Sequence, residues 1–303
     1  MPDFENVLYD KYGADNRIAR ITLNRPEKMN SLSQELLRDF RAALEEAEDD
    51  PEVRVVVVKG AGRTFSAGYD ITPGRRPAPR QAPGAAAVPQ GAQPAQDRRS
   101  VATIRNGMVR VTDFQLYLFN YSKPTIAQVH GYAIAGGVEF AMMHDIIIAA
   151  EDAKFGHPGI RGLGTSRTCA IWPLVIGMRK TYELMYTGDS IDAREAERIG
   201  MINKAVPADQ LDETVQFWAE RIGNQTGDSL AMIKRSINTF YENMGIHASC
   251  YTATDTDAMY QFTGQSYLWR DKVAEAVRSG GGLKEALAWR DAPYGDYRMA
   301  NQR

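Results

Sequence analysis

Apolar residues fall into short continuous runs in the first two thirds of the chain and into helical spacing later. The segment Thr125–Ala150 holds two such runs, Thr125–Val129 and Asp145–Ala150, and each predicts a buried strand. Between them lie the glycine pair Gly136-Gly137 and about two turns of apolar sequence, which predict a loop and a short helix. This order of strand, loop and helix places unobstructed backbone N–H groups at a helix N-terminus, where they favour the binding of a negatively charged group.

An acidic residue, Glu139, lies in the first turn of this short predicted helix. An acidic side chain in a first turn often does no more than complement the helix dipole. Its neighbours argue against an exposed cap, because all are apolar: Val138, Phe140, Ala141, Met142 and Met143. A carboxylate in such surroundings more often has a functional role than a structural one.

Strands and helices are also predicted on both sides of this segment. The pattern predicts a hairpin of Val7–Tyr12 and Arg17–Leu23. The β-branched run Val53–Val58 predicts a central parallel strand, since it is too continuous for a half-exposed one. Ser31 and Gln34 predict a capping box for a helix that ends at about Glu48. Helices are further predicted at about 101–119, 166–176, 179–187, 208–223, 228–243, 252–278 and 282–290.

These elements predict an α/β fold in two regions. Strands and helices alternate over residues 1–206, which indicates a core of repeated strand-strand-helix units, and residues 207–303 are helical throughout. Residues 73–97 interrupt the core with six of the chain's 14 prolines and one aliphatic residue larger than alanine. Such a segment buries too little apolar surface to offset its ordering entropy, so it predicts a flexible insert.

Composition narrows the classes of partner. The net charge of −2 argues against nucleic acid as a partner, and no apolar run in the 303 residues is long enough to span a membrane. The N-terminal segment lacks the basic-then-apolar pattern of a signal peptide. The two cysteines, Cys169 and Cys250, form no disulfide framework or metal motif and fit a reducing cytoplasm.

Two glycine-containing loops carry the clearest chemical signal. No Gly-x-Ser-x-Gly motif or Walker loop is present, and His130 and His157 are the histidines that fall in functional loops. The loop Phe65–Asp70 and the loop Ala135–Gly137 each follow a predicted strand and can each aim one backbone N–H at a ligand. Two converging N–H groups are what an enolate or a tetrahedral oxyanion requires.

Together the two loops resemble the crotonase (enoyl-CoA hydratase/isomerase) superfamily. The resemblance covers most of residues 5–245 and extends to three further segments: Asn24–Leu32, Tyr186–Ala196 and Gly200–Asn203. It implies a crotonase-type spiral of strand-strand-helix units, with a C-terminal helical part that assembles a trimer or a dimer of trimers. It also implies an acyl-CoA thioester substrate, with coenzyme A as part of that substrate and no separate cofactor or metal.

The resemblance also implies roles for individual residues. The N–H groups of Tyr69 and Gly136 are expected to hold the thioester oxygen, and Glu139 is expected to act as general acid/base. Lys28 is the candidate for a basic residue near the CoA phosphates. The adenine is expected beside a stretch of backbone that includes Ala67, Gly68, Asp70 and Ile71.

This chain departs from the hydratases at their second catalytic glutamate. That glutamate ends a segment of the form Phe-Gly-x-Pro-Glu, and here the segment Phe155–Gly159 ends in glycine. Eight residues on, where other branches of the superfamily place an aspartate, this chain has Arg167. The partner of Glu139 is then water, His157, a tyrosine from elsewhere, or nothing.

Several functions therefore remain open. One hypothesis is a hydratase-like lyase or isomerase with Glu139 as general acid/base. Another is a one-acid reaction on a CoA thioester: double-bond migration, C–C bond cleavage or thioester hydrolysis. A third is a non-catalytic acyl-CoA binder. An RNA-binding relative would need a basic helix, which the sequence lacks.

Overall fold

The computed structural model describes residues 4–72 and 100–295. The segment 73–97, predicted as a flexible insert, lies outside the described residues. The described strands are β1 Val7–Tyr12, β2 Ile18–Leu23, β3 Val55–Gly60, β4 Thr125–Val129, β5 Tyr132–Ile134, β6 Ile146–Ala150, β7 Lys154–Gly156, β8 Ser190–Asp192 and β9 Lys204–Val206.

The strands form two sheets within the described residues. The larger has the order β1-β2-β3-β4-β6-β9, in which β1 and β2 form the predicted antiparallel hairpin and all other neighbours are parallel. The smaller has the order β5-β7-β8, with β5 and β7 parallel. From β4 to β7 successive strands alternate between the sheets, because β4 and β6 belong to the larger one and β5 and β7 to the smaller.

The helices follow the strand pairs. They are α1 Gln34–Asp49, α2 Val101–Phe119, α3 Gly136–Met142, α4 Ile171–Thr187, α5 Ala193–Arg198, α6 Leu211–Gly223, α7 Gly227–Asn243, α8 Ile246–Tyr260, α9 Gly264–Ser279 and α10 Gly282–Asp291. The units β4-β5-α3 and β6-β7-α4 are two turns of the spiral. The chain between β3 and α2 also reaches the smaller sheet, through a parallel bridge between Ser66 and Ala133 of β5. The predicted α/β spiral of strand-strand-helix units is confirmed.

Strand β3 is apolar on both faces because both faces of the larger sheet are covered. Val56 and Val58 pack in the core between the sheets, while Val55 and Val57 pack on the opposite side against residues of α6 such as Val215. This arrangement explains the continuous valine run that predicted a central parallel strand.

Three predicted helix boundaries were wrong. The N-cap of α1 is Ser33, not Ser31, and its hydroxyl accepts a hydrogen bond from Leu36 N. The helix predicted to begin at 166 begins at Ile171, whereas the predicted separation from the helix at 179–187 is present as a break at Gly177, whose φ is +76°. The helix predicted at 252–278 is two helices, α8 and α9, and Thr263 caps the second.

Helices α8, α9 and α10 pack on the site-forming half of the core, on the other side of the larger sheet from α6. Helix α8 lies along α2, with a hydrogen bond between Thr112 and Thr254, and α9 and α10 pack around Trp269 against Ile71 and Leu163. The division at residue 206 into core and helical region stays a prediction. In the part of the chain that the structure describes, no helix is both long and apolar enough to cross a membrane.

Candidate active site

The first site loop, Phe65–Asp70, is bound along both of its edges by backbone hydrogen bonds. On one side Ser66 N donates to Tyr132 O and Ile134 N donates to Ser66 O. On the other side Ala67 N donates to Met29 O. The loop is therefore held rigidly between strand β5 and the segment before α1.

The second site loop begins helix α3, whose N-cap residue Ala135 has a φ of +52° and whose first residue is the buried Gly136. Gly68 brings the loops together, because it has a φ of +96° and a Cβ there would lie 2.7 Å from Ile134 O and 3.0 Å from Gly136 N. Among the described residues, no backbone acceptor is hydrogen-bonded to the N–H of Tyr69 or of Gly136. The two loops are therefore in contact at Gly68, and the N–H groups of Tyr69 and Gly136 are not committed to a backbone acceptor among the described residues.

We expect Gly68→Ala to lower the free energy of unfolding by about 1–3 kcal/mol, because alanine is strained at positive φ and its methyl group would press on the second loop. Gly264→Ala is the matched control, since a Cβ at Gly264 meets no atom within 4 Å. Urea unfolding of both variants tests this prediction. Equal stability of the two would show that the loops separate without cost.

Glu139, in the first turn of α3, has three donors around its carboxylate. Oε2 accepts a hydrogen bond from the Tyr69 hydroxyl at 2.9 Å, and Oε1 accepts one from Arg167 N at 2.8 Å. The Nε2 atom of His157 lies 3.3 Å from Oε1, and the Glu139 side chain is 1% exposed. The carboxylate is thus buried but well satisfied, as a buried charge requires.

The ionised form of this carboxylate is stabilised by its neighbours. Burial by itself raises the pKa of Glu139, but the interaction with His157 and the positive charge of Arg167 outweigh burial and lower that pKa to about 2. Glu139 is therefore a carboxylate at neutral pH.

The side chain of Tyr69 joins the two loops to this carboxylate. Its ring lies against Gly136, where a Cβ would come within 2.5 Å of Cδ2 and Cε2 of the ring. Its hydroxyl accepts a hydrogen bond from Gln115 Nε2 at 2.9 Å while donating to Glu139. Burial, followed by the charge of Glu139, raises the pKa of Tyr69 well above 10, so the phenol is protonated.

A buried ion pair closes the far side of the site. The Arg167 guanidinium lies over the Tyr69 ring, 4.5 Å from its centroid, and Arg167 Nε donates to Asp257 Oδ2 at 3.0 Å. Asp257 is on α8, and its other oxygen accepts a hydrogen bond from Thr165 N at 2.9 Å. Helix α8 therefore positions the loop that carries Arg167.

The residues assigned to CoA lie at the edge of the first loop. Lys28 is exposed and belongs to the segment to which the backbone of Ala67 is bonded. The carboxylate of Asp70 pairs with the buried Arg25 at 3.1 Å, so its side chain holds the loop. Ile71 packs against the cluster of apolar residues around Trp269.

The two histidines of the functional loops lie in different places. His130 Nε2 forms a hydrogen bond with Gly62 O at 2.9 Å, outside the site. His157 borders both Glu139 and Gly159, because a Cβ on Gly159 would lie 2.9 Å from Cε1 of the imidazole. The imidazole thus occupies the space into which a side chain at 159 would extend.

Three features of the site were missed by sequence reasoning. These are the hydrogen bond from Gln115, the pairing of Arg167 with Asp257, and the reach of the Tyr69 hydroxyl to Glu139. Arg167 stood out in the sequence only as a departure from an expected aspartate. No local motif marks Gln115 or Asp257, which lie in long helices.

Comparison with known proteins agrees with this geometry. The family model described as enoyl-CoA hydratase/isomerase matches residues 13–88 and 95–266. The chain belongs to the enoyl-CoA hydratase/isomerase family. The resemblance to the crotonase superfamily is thereby confirmed, and so is an enzyme of the hydratase/isomerase type.

Individual members of the family align along most of the chain. The mitochondrial enoyl-CoA hydratase of Pongo abelii is 32% identical over 246 residues, which cover 79% of this chain and 75% of that protein. A crystal structure of an enoyl-CoA hydratase from Mycobacterium smegmatis has a TM-score of 0.82 at 31% identity and covers 97% of this chain and 96% of its own. An enoyl-CoA hydratase/isomerase from Xanthobacter autotrophicus Py2 has a TM-score of 0.80 at 29% identity, with coverage of 96% and 99%.

Proposed function

We propose that this chain moves a proton at the carbon next to the carbonyl of an acyl-CoA thioester, with Glu139 as the proton acceptor. The observation that supports this most is the pair of adjacent, unbonded N–H groups of Tyr69 and Gly136, with a buried ionised carboxylate one turn along the same helix. Coenzyme A enters as part of the substrate, and the reaction needs no separate cofactor.

The two N–H groups bind the thioester oxygen. Their hydrogen bonds strengthen as the oxygen gains negative charge, so they stabilise the enolate more than the ground state. The N-terminal end of α3 adds a favourable dipole at the same oxygen. The α-carbon then becomes acidic enough for a carboxylate to accept its proton.

Double-bond isomerisation is the reaction that one carboxylate can complete. A single group can take a proton from one carbon and return it to another, whereas hydration of a double bond needs an acid and a base around an ordered water. Glycine stands at 159 where the second acid of the hydratases lies, and the imidazole of His157 fills the adjacent space. We therefore propose an enoyl-CoA isomerase.

Hydration is the second candidate, and the position of His157 favours it. Its Nε2 atom lies 3.3 Å from Glu139 Oε1, so an imidazole and a carboxylate can share the acid and base roles. The relatives from Pongo abelii and Mycobacterium smegmatis are named enoyl-CoA hydratases.

The CoA portion is proposed to lie along the first loop, with its adenine beside the backbone of Ala67–Ile71 and its phosphates near Lys28. A trimer, or a dimer of trimers, is proposed through the C-terminal helices. Helix α7 and its C-cap residue support this, because they expose apolar side chains to solvent in the single chain: Ile233, Ile237, Phe240 and Met244. The free cysteines, Cys169 and Cys250, support a cytoplasmic location.

Steady-state assays with two substrates test the reaction type. We expect the wild type to convert 3-hexenoyl-CoA to the 2-enoyl isomer at least about tenfold faster than it hydrates crotonyl-CoA, since the second group of a hydratase acid/base pair contributes typically 10²–10⁴-fold. Efficient hydration of crotonyl-CoA would overturn the isomerase assignment in favour of the Glu139–His157 pair. Tight acyl-CoA binding with neither reaction would indicate a binder.

A further inference from the structure

Tyr69 occupies the space between the oxyanion hole and Glu139. Its backbone N–H is one of the two proposed oxygen ligands, its ring lies on Gly136, and its hydroxyl reaches Glu139 Oε2 at 2.9 Å. One residue therefore extends from the position of the thioester oxygen to the proposed proton acceptor.

Glu139 itself is shielded from a substrate. Its side chain is 1% exposed, and its oxygens face the Tyr69 hydroxyl, His157 and the backbone of Arg167. The ring of Tyr69 lies against Gly136, and its hydroxyl is bonded to the carboxylate. The Tyr69 hydroxyl is thus the side-chain group that joins the residue of the proposed oxyanion hole to the buried carboxylate.

We propose that the Tyr69 hydroxyl is a catalytic group that relays the substrate proton to Glu139. This inference rests on the proposed function, because it assumes that a proton leaves the carbon of an acyl-CoA thioester. It assigns to the side chain of Tyr69 a role separate from that of its backbone N–H.

The relay balances without any additional reactant. As the substrate C–H bond breaks, its proton bonds to the Tyr69 oxygen, and the original phenol proton moves to Glu139 Oε2. The electron pair of the C–H bond enters the enolate, whose oxygen the two N–H groups hold. In the return step Tyr69 gives a proton to the second carbon, and the proton on Glu139 returns to Tyr69.

The surroundings of Tyr69 suit this role. Gln115 Nε2 donates a hydrogen bond to the phenol oxygen at 2.9 Å, so it can stabilise negative charge that develops there during transfer. The Arg167 guanidinium, 4.5 Å from the ring centroid, adds positive charge on the ring face. In the resting site Tyr69 holds the proton and Glu139 is ionised, which is the starting state that the relay requires.

Tyr69→Phe tests the relay, because it keeps the ring and the backbone N–H and removes only the hydroxyl. We expect kcat for isomerisation to fall by about 10²–10⁴-fold, which is the usual contribution of a proton-transfer group. The Kd for acyl-CoA, measured by calorimetry, should stay within about threefold of the wild-type value, because the substitution leaves the groups that bind the ground-state substrate in place. A kcat within about threefold of wild type would overturn the relay.

Tyr117→Phe is the matched control. Tyr117 also lies under an arginine, with Arg41 4.4 Å from its ring centroid, and its buried hydroxyl has no hydrogen-bond partner among the described residues. We expect this variant to keep wild-type kcat. Melting temperatures of both variants show whether each remains folded at the assay temperature.

The double variant Tyr69→Phe/Glu139→Gln separates the relay from the proposed function. Two groups that act as one unit give non-additive losses, so the double variant should be about as slow as the slower single variant. Additive losses would overturn the relay while keeping Glu139 as the proton acceptor. Full activity of Glu139→Gln would overturn the proposed function instead.

Discussion

Glu139→Gln is expected to lower kcat/KM for isomerisation by about 10²–10⁴-fold and to leave acyl-CoA binding within about threefold of wild type. Glutamine keeps the shape of the side chain but cannot accept a proton. The thioester oxygen still meets the N–H groups of Tyr69 and Gly136, so binding is retained. Steady-state kinetics and calorimetry of the same preparation measure the two effects separately.

The hydrogen bonds of the site indicate how glutamine fits. The carboxylate of Glu139 accepts from Arg167 N and from the Tyr69 hydroxyl, whereas a glutamine has one oxygen and one NH₂ group. With its oxygen toward Arg167 N, the NH₂ group faces Tyr69, whose hydroxyl can turn to accept it. We therefore expect a folded variant whose defect is chemical.

Glu213→Gln provides the control for this substitution, because Glu213 is exposed on α6, which packs on the opposite face of the larger sheet. It should retain wild-type kcat/KM. Loss of acyl-CoA affinity in Glu139→Gln comparable to its loss of kcat would contradict the proposed role. Glu139 would then act in binding rather than in proton transfer.

Local patterns predicted the parts of the site that depend on neighbours in sequence. Strands β3 and β4, Gly136 at the helix start and Glu139 in its first turn follow from apolar runs, glycine and helical spacing over a few residues, whereas the short strand β5 directly before the second loop was not predicted. The same logic located the helix Val101–Phe119 correctly. It also separated the two helical parts of α4 at Gly177, but it placed the start of that element at about 166 instead of Ile171.

The remainder of the site depends on contacts between distant parts of the chain. Arg167 and Asp257 are 90 residues apart, and Gln115 and Tyr69 are 46 apart, so no local pattern pairs them. The surroundings of Gly159 are likewise visible only in the fold. Gly159 lies in the 3-10 helix Pro158–Arg161 and does not have a positive φ. The imidazole ring of His157, two residues earlier, crowds the position that a Cβ at 159 would take.

The buried pair of Arg167 and Asp257 is expected to have the largest effect on stability. Their side chains are 16% and 2% exposed, so Asp257→Ala leaves a largely buried guanidinium without its carboxylate. Breaking such a pair by removing one partner costs about 3–5 kcal/mol. Urea unfolding measures this loss of stability. The loss also includes the hydrogen bond that Asp257 accepts from Thr165 N.

Replacing both partners is expected to have a different result. In Arg167→Met/Asp257→Leu no buried charge is left unpaired, so most of the lost stability should return, as for other buried pairs replaced by apolar residues. Isomerisation should remain slow, because Tyr69 has lost the positive charge over its ring and the loop that carries the N–H donor to Glu139 has lost its anchor on α8.

Glu45→Ala is the control for the pair, since Glu45 pairs with Arg41 on the exposed face of α1, where both side chains are about half exposed. A surface pair of this kind contributes about 0.2–1 kcal/mol. If Asp257→Ala cost no more than Glu45→Ala, the Arg167 guanidinium would have found water or another partner. If the double variant regained kcat along with stability, α8 would hold the fold together without shaping the chemistry around Tyr69 and Glu139.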